Sequence, residues 1–208
     1  MTNPVTPAPL PPGETLLVTL RLAGSIPARA GRELQQQRIA AQEAARAAPA
    51  ADDAPDAHRR AEKRFFADFD ALLDAGLTGG RYLEKEKIAE AVAGELLLLE
   101  EQGLRVPGFV LTFNHLHCVL HQPAGRGLSL YKAVELLHQR TAGQARRILR
   151  GQLPREADFW QPGFHELPVL DAAELLRLQQ YLLAHPQRLK LPPRYHEWPY
   201  CYRALLPG

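Results

Sequence analysis

Residues 111–120, LTFNHLHCVL, decide the fold. Two apolar, strand-like runs, 106–113 and 115–121, meet within this stretch and predict two adjacent strands. Successive side chains of a strand point to opposite faces, so the imidazoles of His115 and His117 share one face, and the hydrophobic residues between them share the other. We therefore expect one face of this strand to pack and the other to bind.

Outward from this stretch, hydrophobic spacing and turn signals divide the rest of the chain into strands and helices. They predict a strand at 14–22, two helices within 29–74, helices at 83–102 and 128–149, a short strand within 159–169, and a last helix from Asp171 to about Ala184. That helix is expected to stop before Pro186, because proline disfavours a helical residue before it.

Without the inserted helices, the order of elements is strand, helix, strand, strand, helix, strand and a last helix. This order predicts an α+β fold, with a ferredoxin-like split βαβ antiparallel sheet and helices on one face. A chain of 208 residues suits one domain with an appendage. We expect a disordered, proline-rich lead at 1–13 and one domain at 14–204, with a helical insertion at about 29–78.

The composition indicates the class of protein. Hydrophobic residues make up 46% of the chain, but no apolar run approaches the roughly 20 residues of a membrane helix. The first 13 residues contain no Lys or Arg and no signal-like apolar segment. We therefore expect a soluble, cytoplasmic protein without a membrane partner. The two cysteines, in no CxxC pattern, are expected to be reduced thiols.

The net charge of +2 is too small to indicate nucleic-acid binding, but the positive charges cluster. No acidic residue lies between Glu135 and Glu156, and this stretch contains Arg140, Arg146, Arg147, Arg150 and Arg155. The cluster has two interpretations, a solvated helix face or a surface that binds phosphates.

Two short patterns contain groups suited to chemistry. His115 and His117, separated by one hydrophobic residue on a strand, form a natural pair of ligands for a divalent metal. Tyr181 and His185 are four residues apart near the end of the last helix and therefore share a face. Taken singly, each pattern also fits an ordinary role: half-exposed histidines on a sheet, a half-buried aromatic, and a cation at a helix end.

Together, these patterns resemble the REP-associated tyrosine transposases, which belong to the HUH family of single-strand DNA transposases. Residues 111–117 resemble the family's PNHxH strand, with Phe113 in place of its proline. The later landmarks follow in the family's order: a helix at 137–148, the WQ element at 159–161, the tyrosine segment at 181–188 and the closing WPW-like element at 197–200. Residues 64–70 and 88–89 resemble a subgroup with a helical insertion after the first strand.

The resemblance implies a function and a site. By resemblance, His115 and His117 bind a catalytic divalent metal, magnesium or manganese. Tyr181 then attacks a DNA phosphate, giving a 5′-phosphotyrosine and a free 3′-hydroxyl. The family has asparagine where this chain has His185. Because histidine favours softer metals than asparagine does, manganese or zinc gains weight over magnesium.

The implied enzyme is a metal-dependent transposase that cuts and rejoins single-stranded or hairpin DNA of a mobile element. It would be nucleoid-associated and would act as a monomer or homodimer. Expected DNA contacts are Arg140, Arg146, Arg147, Arg150, Trp160 and Gln161. The residues that follow 160–161 depart from the family pattern, and Pro168 breaks the strand expected there.

Two alternatives remain. The chain could be a domesticated module that binds single-stranded nucleic acid without cutting it, with Trp160 or Phe164 stacking on bases. It could also be an interaction protein whose insertion, 29–74, docks a partner. The position of Tyr181 distinguishes cutting from binding, since its hydroxyl reaches the histidine strand only if the last helix packs across the polar face of the sheet.

Overall fold

The computed structural model describes residues 10–47, 54–125 and 127–204, in two compact units. The sheet unit is Met1–Ala23 together with Arg81–Gly208, and the helical unit is Gly24–Gly80. Residues 1–9 of the disordered lead expected at 1–13 lie outside the described residues, and the first strand already begins at Gly13.

The sheet unit is organised around five antiparallel strands. They are β1 (Gly13–Arg21), β2 (Arg105–Leu111), β3 (His115–Pro123), β4 (His165–Pro168) and β5 (Cys201–Arg203). Their spatial order is β4-β1-β3-β2-β5, and every neighbouring pair is antiparallel. The first four strands therefore have the split βαβ order, in which β3 lies between β1 and β2. This confirms the predicted α+β class.

Five helices accompany the strands. They are α1 (Ala28–Ala47), α2 (Ala54–Asp74), α3 (Glu86–Glu101), α4 (Leu130–Ile148) and α5 (Ala172–Arg188), with short 3-10 helices at Tyr82–Glu84 and Pro193–His196. Among the described residues, no helix is both long and apolar enough to span a bilayer.

One face of the sheet packs on α3 and α4. Alternation brings every second residue of β1 and β3 into the same buried cluster, namely Leu16, Val18, Leu20, Leu116, Cys118 and Leu120. The apolar stripe of α3, which includes Ile88, Val92 and Leu96, belongs to this cluster, as do Val134 and Leu137 of α4. The hydrophobic effect thus fixes which side of β3 faces these helices, and the histidines must face the other way.

Helix α5 lies on the other face of the sheet, over β2. Its N-terminus is capped by Asp171, whose carboxylate accepts a hydrogen bond from the backbone N–H of Glu174 at 2.7 Å. The amide of Gln179 donates to the carbonyls of Pro107 and Ala204 at 3.0 and 2.9 Å, which ties α5 to the edge of β2 and to the residue after β5. Gly108 of β2 faces Leu182 of this helix, and a Cβ there would lie 3.6 Å from Leu182, at ordinary van der Waals distance.

Two prolines that were expected to interrupt secondary structure lie within a helix and a strand. Helix α5 does not stop before Pro186 as expected, but runs on to Arg188. Proline in a helix removes one backbone hydrogen bond, a cost that burial of Leu182, His185 and Pro186 offsets. Pro168 ends β4, and because β4 is an edge strand, the missing N–H is tolerated there.

The helical unit is a pair of packed helices, α1 and α2. Arg38 of α1 donates two hydrogen bonds to the Glu62 carboxylate, at 3.2 and 2.7 Å, and its guanidinium lies 4.6 Å from the ring centre of Phe65. The two ends of the unit also meet, since the hydroxyl of Thr78 donates to the carbonyl of Gly24 at 2.7 Å. The unit therefore has its own internal contacts, both polar and aromatic.

Replacing Leu96 by alanine should destabilise the protein markedly, because this side chain is fully buried between α3 and the sheet. Deleting a buried leucine costs about 2–5 kcal/mol, whereas an exposed position changes stability by about 0.5 kcal/mol or less. Leu98→Ala on the same helix is the matched control, since Leu98 is 40% exposed. Urea denaturation measures both, and equal losses would contradict this packing.

Candidate metal centre

Three histidines converge on the α5 face of the sheet. The ring centres of His115 and His117 are 4.6 Å apart. The ring centre of His185 lies 5.4 Å from that of His115 and 5.2 Å from that of His117. Each histidine offers one ring nitrogen as a ligand, and these three nitrogens all lie within 4.8 Å of one another. All three side chains are fully buried. The structure thus brings together the three residues proposed from the sequence as metal ligands.

Local structure explains this convergence. The β2–β3 connection is a tight turn, in which the N–H of Thr112 donates to the carbonyl of His115 at 2.9 Å. From His115 the alternation of β3 places both strand imidazoles on the face away from α3 and α4. Helix α5, held over β2, brings His185 to them from its last turn.

Hydrogen bonds to the strand histidines involve their Nδ1 atoms. Nδ1 of His115 lies 2.8 Å from Oδ1 of Asn114 and 3.0 Å from the hydroxyl of Thr112. Nδ1 of His117 lies 2.8 Å from the hydroxyl of Thr19 on β1. Ligating histidines commonly bind metal through one ring nitrogen while the other donates to an oxygen. Each strand histidine thus has an oxygen partner at Nδ1, as is typical of a histidine that binds metal through Nε2.

The residues present fit a divalent ion. Nε2 of His115 and Nε2 of His185 are 3.4 Å apart. Two imidazole nitrogens on one tetrahedral ion, each about 2.0–2.1 Å from it, would be separated by about 3.3 Å. Imidazole donors suit zinc and other transition metals better than magnesium, which prefers oxygen ligands. The cluster could therefore hold a metal ion, and its chemistry favours a transition metal.

The neighbouring thiol does not belong to this cluster. Cys118 follows His117 directly but points into the core on the α3 and α4 side. Burial raises the pKa of this thiol, so it stays protonated, whereas a metal ligand must be a thiolate.

Tyr181 lies beside the histidines. Its ring centre is 5.2 Å from that of His185, one helical turn further along α5, and 6.0 Å from that of His117. The Arg188 guanidinium lies 5.0 Å from the centre of the tyrosine ring. Tyr181 is partly exposed, unlike the three histidines. A phenol, a cation and an imidazole cluster thus adjoin one another at the end of α5.

The arginines proposed for DNA contact are not near the histidines. They belong to α4 and the turn that follows it, on the opposite face of the sheet. Arg140 forms an ion pair with Glu95 at 3.5 Å, and Arg146 donates to the carbonyls of Arg155 and Ala157. Arg147 and Arg150 are exposed. Two of the four arginines therefore have protein partners, and two extend into solvent.

The aromatic residue proposed for base contact is part of the core. Trp160 is 2% exposed, its indole donates to the hydroxyl of Thr141 at 2.8 Å, and its ring stacks on His138. This burial argues against the base-stacking role expected for Trp160. Phe164, the other stacking candidate, and Gln161 are each partly exposed, and the backbone N–H of Gln161 donates to the carbonyl of Arg21.

Thr19 and Thr112 are site residues that the sequence analysis did not identify. Thr19 lies 98 residues before the histidine it contacts. The sequence contains one signal for Thr19. Thr15 and Thr19 are the polar residues in a run of leucine and valine, and their four-residue spacing puts them on the same face of β1.

Comparison with known proteins finds likeness among solved structures. No protein-family model and no curated protein matches the chain. A solved structure described as the REP-associated tyrosine transposase bound to a REP hairpin aligns with 96% of this chain and 82% of that chain. The sequence identity is 12% and the TM-score is 0.41.

Replacing both strand histidines by alanine should abolish divalent metal binding, because two of three ligands are lost. Isothermal titration with Zn²⁺, Mn²⁺ and Mg²⁺ measures this, and the wild type should bind the first two more tightly than Mg²⁺. His196→Ala is the control, since His196 is exposed outside the cluster. Unchanged affinity in the His115→Ala, His117→Ala variant would exclude this site.

Proposed function

We propose that this protein is a metal-dependent enzyme that cuts and rejoins single-stranded DNA through Tyr181. One observation carries the proposal: the Tyr181 ring lies against His117 and His185 within a converged cluster of three imidazoles. The resemblance of residues 111–117 and 181–188 to the tyrosine transposases points to the same chemistry. Hairpin DNA of a mobile element is the proposed substrate, and the oligomeric state is proposed to be a monomer or a homodimer.

In this proposal His115, His117 and His185 hold the ion. A bound divalent cation would supply Lewis-acid polarisation of a DNA phosphate. The phenol oxygen of Tyr181 forms a bond to phosphorus, and the bond from phosphorus to the 3′-oxygen breaks. The departing 3′-oxygen takes up a proton as the phenol loses one. Attack by a 3′-hydroxyl on the phosphotyrosine reverses these steps and reseals the strand without a nucleotide cofactor.

Arg188 supports the same role for Tyr181. Its guanidinium lies over the phenol ring, where a permanent positive charge favours an approaching phosphate. In this proposal one helix provides the nucleophile Tyr181, the metal ligand His185 and the positive charge of Arg188. Successive turns of α5 place them on a common side.

Three of the five other tyrosines are poorer candidates for the nucleophile. Tyr195 and Tyr200 are buried in the core cluster, and burial raises the pKa of each phenol. The hydroxyl of Tyr131 donates to the Glu166 carboxylate, a hydrogen bond that raises its pKa. A raised pKa disfavours the phenolate that attacks phosphorus.

Substituting phenylalanine for Tyr181 should abolish a covalent protein–DNA adduct, because it removes the attacking oxygen and little packing. The assay is incubation with single-stranded hairpin DNA and Mn²⁺, followed by a denaturing gel. Folding and DNA binding should stay close to wild type. Tyr131→Phe is the matched control, since it removes a phenol oxygen elsewhere in the same unit and should leave the adduct intact.

Two outcomes would contradict the proposal. If the Tyr181→Phe variant still forms the adduct, another residue is the nucleophile. If the wild type binds hairpin DNA but forms no adduct on any substrate tried, a non-cutting nucleic-acid-binding module becomes the better account.

The exposed arginines of the α4 region should make DNA binding depend on salt, since each phosphate they neutralise releases counterions. For single strands the logarithmic salt slope falls by about 0.7 for each lost phosphate contact. Replacing Arg147 and Arg150 by glutamine should therefore lower it by about 1.4. Arg29→Gln is the control, because Arg29 is paired with Glu33 in the helical unit. If the salt slope of DNA binding is unaltered in the double variant, these arginines do not contact DNA and form a solvated helix face.

A further inference from the structure

We propose that Thr19 of β1 is a positioning residue for the metal centre: its hydroxyl holds His117 in the tautomer that carries hydrogen on Nδ1, the tautomer in which the lone pair that can bind an ion is on Nε2. The inference rests on the metal role proposed above for His117. It adds to the site a residue from a third element, besides β3 and α5.

The register of the sheet creates this contact. Thr19 is the direct partner of His117 in the antiparallel pairing of β1 with β3, so both side chains lie on the same face. The Thr19 hydroxyl and Nδ1 of His117 are 2.8 Å apart. Thr19 is 1% exposed and His117 is fully buried. Water therefore has little access to this contact, and the hydroxyl fixes the ring.

His115 shows which tautomer the cluster needs. Its Nδ1 lies 2.8 Å from the carbonyl oxygen of the Asn114 side chain. A carbonyl oxygen can only accept, so this Nδ1 carries the hydrogen and the ring's in-plane lone pair is on Nε2. Nε2 of His115 in turn faces Nε2 of His185 at 3.4 Å. For His117 to act in the same way, the Thr19 hydroxyl must accept from Nδ1–H.

The same strands contain a matched pair outside the metal centre. The hydroxyl of Thr15 lies 2.9 Å from Nδ1 of His121, again between direct partners of β1 and β3. His121 is four residues beyond His117, about 13 Å along a strand, and it lies outside the cluster of possible ligands. Thr15 and Thr19 are both buried. Removing the Thr15 hydroxyl should thus break the hydrogen bond to His121 without changing the affinity for metal.

The test compares Thr19→Val, Thr19→Ser and Thr15→Val with the wild type. Valine keeps the shape and strand preference of threonine but lacks the hydroxyl, and serine keeps the hydroxyl. Zn²⁺ affinity is measured by titration of the full chain without DNA. Loss of such an orienting partner weakens metal binding by about 10–100-fold. We expect that loss for Thr19→Val, near wild-type affinity for Thr19→Ser, and no change for Thr15→Val.

A second readout needs no metal. In the metal-free wild type, ¹⁵N NMR of the neutral histidines should place the hydrogen of His117 on Nδ1, and Thr19→Val should shift this population toward Nε2. A wild-type spectrum with hydrogen on Nε2, or equal Zn²⁺ loss in Thr15→Val and Thr19→Val, would overturn the inference. Failure of the wild type to bind Zn²⁺ would instead contradict the proposed metal centre, while the NMR result would still decide the role of Thr19.

Discussion

The pairing of β1 with β3 is the constraint on which the rest of the structure depends. It sends Val18 and Cys118, which are partners in the register, into the core against α3 and α4. The next pair along, Thr19 and His117, is turned to the other side. A slip of one residue would exchange the two faces, exposing leucine and burying threonine against the helices. The same hydrophobic burial that stabilises the sheet therefore orients the histidines.

The second requirement is the close packing of α5 on the sheet. Gln179 anchors the helix to two neighbouring backbone carbonyls, those of Pro107 in β2 and Ala204 just after β5, and Leu182 lies over Gly108. These contacts place Tyr181 and His185 over the strand histidines. The cap at Asp171 and the buried Pro186 define the start and the last turn of this helix. Specific packing of α5, more than helix propensity, thus sets the distance between the phenol and the imidazoles.

Much of this arrangement could be predicted from local patterns. Alternation along residues 115–120 predicted both faces of β3, and the four-residue spacing predicted that Tyr181 and His185 share a side. What failed depends on distant contacts. The role of Thr19 follows from a register between strands almost 100 residues apart, which no local pattern encodes. Helix α5 continues past Pro186 because tertiary packing outweighs the local preference. The burial of Trp160, which argues against contact with bases, likewise depends on tertiary packing that one aromatic residue in the sequence does not reveal.

The wide spacing of the site along the chain has a consequence for folding. Thr19, His117 and His185 come from the first strand, a central strand and the last helix, and the two paired histidines of β3 and α5 are 70 residues apart. Contacts of such high sequence separation form late, since each closes a long loop. During synthesis, β1 and β3 can pair well before α5 has left the ribosome. The cluster is therefore completed only after α5 has been made, so a product truncated before α5 would have strands β1 to β4 without the centre.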